Sequence, residues 1–81
     1  MLERILAEFD DSLTRLHDLT ADRATLPDAA RLAHRMAGSV ALLGMTALRD
    51  RLTELEDGLA TGTIAGADIR TRLRAIRLMV P

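Results

Sequence analysis

The chain has 81 residues, of which 48% are hydrophobic, 28% charged and 1% aromatic, with a formal net charge of −1; this leaves room for one small core and gives no strongly basic or acidic balance. Cysteine and lysine are both absent, every basic residue being arginine, which excludes disulfides, thiolate metal sites, Schiff-base chemistry and the Gly-Lys-Ser/Thr phosphate loop of an ATP-binding protein. No apolar run approaches the ~18 residues of a membrane span, and acid enters early in MLERILAEFDD, so the expected setting is the cytoplasm.

In the first twenty residues Leu2, Ile5, Leu6, Phe9, Leu13, Leu16 and Leu19 recur at steps of three or four and predict a helix over 1–20. The stretch from Thr20 to Leu26 breaks the pattern. Thr25-Leu26-Pro27-Asp28 then reads as an N-cap, a proline near the first helical position and an acid three residues beyond the cap. A second helix is expected over 27–43, with Leu32, Met36, Val40 and Leu43 on one side and Gly44 as its C′ residue. Leu48, Leu52, Leu55 and Leu59 predict a third over 46–61, stopping around Gly62, with Gly58 weakening its last turn. Ile69, Leu73, Ile76 and Val80 predict a fourth over 66–80, starting at Thr63 or Gly66 and closed by Pro81. Nothing alternates at period two, so no sheet is expected.

Four amphipathic helices with short connections imply an all-α domain spanning 1–81, an antiparallel up-down-up-down four-helix bundle. For a chain this short, apolar burial and conformational entropy are each on the order of 120 kcal/mol and nearly cancel. A monomer with well-formed helices is the preferred reading, and two helical hairpins completing their bundle by dimerising are the alternative.

Helix two is unusual away from its apolar stripe. With Leu32 at zero, the larger apolar residues span about 80° of the helical wheel and His34 lies near 200°, facing solvent. Its neighbours on that side are Ala30, Ala37, Gly38 and Ala41, all small. Gly38 costs about 1 kcal/mol relative to alanine in a helix interior, which suggests close approach by another molecule. His34 therefore reads as an imidazole on a flat platform, open to a protein partner. His17 sits at the edge of the first helix's stripe and reads as a boundary residue. Neither histidine has a zinc-type pairing such as His-Glu-x-x-His.

The run His34-Arg35-Met36-Ala37-Gly38-Ser39-Val40-Ala41-Leu42-Leu43-Gly44 resembles the His-containing phosphotransfer (HPt) domain of bacterial two-component phosphorelays, whose motif reads approximately His-x-x-Lys-Gly-Ser/Ala-Ser/Ala-x-x-Leu/Phe-Gly. Ala33 before the motif, and Leu48, Leu52, Leu55 and Glu56 after it, are similar to the family pattern, so the resemblance covers 29–60. The phosphoacceptor hairpin of sensor kinases fits less well, because Arg35 and Ser39 stand where that hairpin usually has an acid and a proline. The resemblance implies that His34 accepts a phosphoryl group from a receiver aspartate or a kinase and passes it to another receiver. It implies a phosphocarrier without nucleotide binding or kinase activity of its own. It also implies no cofactor on this chain, magnesium being expected on the receiver. The family's Lys three residues after the His is Ala37 here. Arg31, about 60° from His34 on the wheel, is the first candidate for a substitute cation and Arg35 the second. Glu56 falls where some relatives place an amide near the imidazole; it could accept a hydrogen bond from Nδ1 or repel the phosphoryl group. The runner-up function, motivated by Ala37, is a non-catalytic adaptor with the same bundle that binds a receiver or kinase. A third is a self-dimerising helical scaffold.

Arg70, Arg74 and Arg77 form a stripe on helix four, read as a solvated face complementing acidic helix one. With Phe9 as its one aromatic residue, no lysine and net charge −1, nucleic-acid binding is not expected. Leu42 and Leu78 lie off the core stripes, as exposed apolar residues or part of a partner surface. The expected docking face is the outer side of helix two, around Arg31, Arg35, Gly38, Ala41 and Leu42.

Overall fold

The spacing of apolar residues near the N-terminus produces α1 over Leu2–Leu19, which buries Phe9, Leu13 and Leu16 and keeps Ile5, Leu6 and Leu19 at the margin. The computed structural model describes residues 2–80; Met1, the side chain of Leu2 and Pro81, all used in the sequence reading, lie outside the described residues.

A short 3-10 turn, Arg23–Thr25, follows where the sequence showed only a broken pattern. Asp22 nucleates it by accepting a 2.9 Å hydrogen bond from the Ala24 N–H. Thr25 does not cap the next helix through its side chain, as its position suggested. Its hydroxyl instead donates to the carbonyls of Leu19 and Asp22 and ties the turn to the end of α1.

The second helix, α2, is Leu26–Leu42, with Pro27 in its first turn. Gly44 is its C′ residue as expected, at φ +75. The Gly44 N–H donates to Ala41 O at 3.0 Å and the Met45 N–H to Val40 O at 3.1 Å. This is the paired closure of a Schellman motif, which satisfies two carbonyls and turns the chain back on itself. The third helix, α3, is Thr46–Thr61, stopped by Gly62, and the fourth, α4, is Gly66–Met79. Of the two proposed starts for α4, Gly66 is correct; the Thr63 hydroxyl is engaged with that of Thr61 at 2.8 Å.

The described residues form four helices and no strand, packed as the expected all-α bundle with sequential helices adjacent and α4 closing back on α1. The Cα radius of gyration, 11.7 Å, equals the value of about 11.7 Å for a compact chain of this length. Leu16, Leu52, Leu55 and Ile76 are the most completely enclosed large side chains. Two expectations about the core change. Leu43, placed on the buried side, is partly exposed, because it has already left α2 at the Schellman turn. Ala29, within the expected stripe, is buried, and the buried face of α2 also includes Ala30, Ala33 and Ala37, which widens it from about 80° to about 160° of the wheel. The large residues marked only half of the face, and the alanines form the other half, toward α3.

Candidate functional site

α2 and α3 are an antiparallel hairpin hinged at Leu43-Gly44-Met45. His34 and Glu56 are equidistant in sequence from Met45, so at ~1.5 Å per residue both lie about 16 Å up their helices and meet across the seam. His34 Nδ1 is 3.1 Å from Glu56 Oε1. The side chain of His34 is 74% exposed and that of Glu56 26%, so the carboxylate is held at the rim while the ring stands out from it. A carboxylate oxygen only accepts, so the hydrogen in this bond is on Nδ1, and it is the neutral ring in this tautomer that carries its lone pair on Nε2. No group among the described residues hydrogen-bonds Nε2.

The surroundings differ from a platform of small residues on all sides. Ala30 and Ala37 are buried and face inward, and Ala41 is half-buried. Their small size serves close approach of α3 to α2. Gly38 alone among these neighbours is exposed. A Cβ built on it meets nothing within 4 Å and its φ is not positive, so neither packing nor backbone geometry within the chain calls for glycine there.

Three arginines border His34 in an open depression of about 1010 Å³ that Asp28 and Glu56 complete. Arg31, the first-choice cation of the sequence reading, is ion-paired with Asp28 one turn earlier, so its charge is already met. Arg35 has no carboxylate partner among the described residues, nor does Arg15, which reaches the depression from α1. Arg15 escaped the sequence reading because it belongs to a different helix and to no motif; only the placement of α1 beside α2 brings it in. A smaller hollow of about 350 Å³ between α1 and α2, floored by Phe9, Met36 and Val40, includes Arg35 but not His34. Arg15 and Glu8 also line it, so its apolar floor has a charged rim.

The family model of the Hpt domain matches residues 1–80, and the chain belongs to that family. Its role is therefore phosphotransfer in two-component signalling, a setting in which such domains interact with receiver domains and kinases. No curated protein and no solved structure matches the chain. No described helix is long and apolar enough to cross a membrane.

Proposed function

We propose that this chain is a cytoplasmic, monomeric phosphocarrier that takes a phosphoryl group onto His34 Nε2 from the aspartyl phosphate of a receiver, or from a kinase, and delivers it to another receiver. The observation that carries the reading is the exposed imidazole held through Nδ1 by Glu56. In the transfer from a receiver the Nε2 lone pair attacks phosphorus in line with the acyl oxygen. A P–N bond forms, the P–O bond to the receiver breaks, and the aspartate carboxylate leaves with that electron pair. The ring keeps its Nδ1 hydrogen and gains positive charge, which the neighbouring Glu56 carboxylate opposes. Arg35 and Arg15 border the same depression and supply positive charge toward the incoming phosphoryl oxygens, where the family motif has a lysine. In this reading the receiver brings the magnesium, and this chain supplies nucleophile, docking surface and electrostatics. Return of the group to a second receiver is the same step reversed.

The test mixes the purified domain, and His34→Gln in parallel, with a panel of phosphorylated receivers from the same genome. Acid-labile label on the wild type alone is the expected result. Label on both proteins would remove His34 from the role. Binding of a receiver without transfer would establish the adaptor function in its place.

A further inference from the structure

The seam between α1 and α4 lies across the bundle from the α2–α3 seam that holds His34, since the helices follow one another around the ring. It contains a groove of about 360 Å³ lined by Leu13, Thr14, His17, Arg70, Leu73, Arg74 and Arg77. Leu13 and Leu73 are buried and form an apolar floor. The sequence led us to expect the arginine stripe to be complemented by acidic α1, and this holds only for Arg77, whose Nη1 donates to Asp10 Oδ1 at 2.8 Å. Asp18 lies nearby but faces His17, at 3.9 Å from its Nδ1. Arg70 and Arg74 have no carboxylate partner among the described residues, although Arg72, on the other side of α4, finds Glu54 at 3.4 Å. The groove thus presents two unmatched guanidiniums, a histidine and a threonine around an apolar floor.

We infer that this groove docks an acidic segment of a protein partner, away from the phosphotransfer face. Arg70, Arg74 and Arg77 follow a spacing of four and three residues and span about 10 Å along α4. That spacing matches carboxylates repeated at the same interval on a partner helix, and guanidinium forks bind carboxylates in bidentate fashion. The apolar floor accepts the stems of glutamates or an aliphatic side chain between them. A nucleic acid fits less well: the sole aromatic residue, Phe9, is buried, and two unmatched cations in this groove, on a chain of net charge −1, do not match a polyanion. Such a contact would hold the carrier on a scaffold or kinase while leaving His34 open to receivers.

The experiment titrates the full ¹⁵N-labelled chain at low salt with a helical peptide carrying glutamates at this four-and-three spacing. Its glutamine counterpart, inorganic phosphate and a thymidine oligonucleotide run as comparisons. Amide shifts concentrated on α1 around Thr14 and His17 and on α4 from Arg70 to Arg77, seen with the glutamate peptide only, are expected. Arg70→Gln with Arg74→Gln should weaken that binding about three- to tenfold, the range set by two exposed ion pairs, with Arg74→Gln alone as the milder variant. Receiver-to-domain phosphotransfer should not change in either variant, and His34→Gln should bind the peptide as wild type does. Equal binding of the glutamine peptide, shifts centred on Arg31 to Gly38, tighter binding of the oligonucleotide, the same shifts with phosphate alone, or no effect of the arginine substitutions would each overturn the inference.

Discussion

Substituting Gly38 separates what the fold wants from what a partner wants. The residue lies in the interior of α2, and an added Cβ meets no atom within 4 Å. Alanine therefore introduces no clash and removes the backbone-entropy cost of glycine, a gain of about 0.5–1 kcal/mol. For a domain of this size each kcal/mol moves Tm by about 4–8 °C, so Gly38→Ala should raise it by about 2–8 °C in a far-UV circular dichroism melt. The same methyl stands one helical turn from the imidazole, on the surface where the proposed partner must seat. Displacing the reacting atoms by about 1 Å costs on the order of a hundredfold in rate. Gly38→Ala should therefore slow single-turnover transfer from a phosphorylated receiver while stabilising the domain, and Gly38→Leu should slow it further. Transfer by Gly38→Leu at the wild-type rate would refute docking over this face. A lowered Tm in Gly38→Ala would instead show that the glycine serves the fold.

The Glu56 bond yields a second expectation: Glu56→Ala should reduce the transfer rate about five- to thirtyfold, corresponding to ~1–2 kcal/mol for a charge-assisted bond at a partly exposed site. Glu56→Gln keeps an acceptor without the charge and should fall between, with ring tautomers read by ¹⁵N NMR. Arg35→Gln should slow transfer more than Arg31→Gln, because Arg31 is already paired with Asp28; the reverse order would restore Arg31 as the working cation. Ala37→Lys inserts a long side chain at a buried position and should lower stability by about 1–3 kcal/mol in urea denaturation. Gly44→Ala forces a Cβ into the left-handed region at φ +75 and should cost ~1–2 kcal/mol by the same assay, without altering the His34–Glu56 distance once folded.

The helices were legible because leucine spacing and the Gly44 and Gly62 stops are local signals. Less legible was which small residues turn inward. Alanine carries almost no hydrophobic weight in a periodicity argument, so Ala30 and Ala37 read as a surface clearing although both are buried. Thr25 misled for a related reason: a hydroxyl at a cap position has several carbonyls within reach, and the 3-10 turn gave it those of Leu19 and Asp22. The His34–Glu56 contact was one of the two roles considered for Glu56: equal distance from the hairpin turn puts the pair at one height, and the helical phase of each residue turns them toward each other. The Arg31–Asp28 pair was also in view as an i, i+3 spacing. What the sequence had no means to rank was competition: Asp28 takes Arg31, Asp10 takes Arg77, and only three-dimensional placement shows that Arg15, Arg35, Arg70 and Arg74 are among the arginines left without a carboxylate partner among the described residues.

Ala37 links these observations. The buried alanines at 30, 33 and 37 let α3 lie close enough for a glutamate, with only two methylene groups, to reach the imidazole at 3.1 Å. A lysine at 37 would have to leave the seam beside that bond, carrying a four-carbon stem through space the hairpin closes. In the proposed reaction the phosphoryl charge is met from the other side of His34, where Arg35 and Arg15 border the depression without carboxylate partners among the described residues. The ring is then gripped from α3 and the phosphoryl group faces α1. In this proposal a receiver delivering its group in line approaches over Gly38 and Arg35, which are exposed on α2.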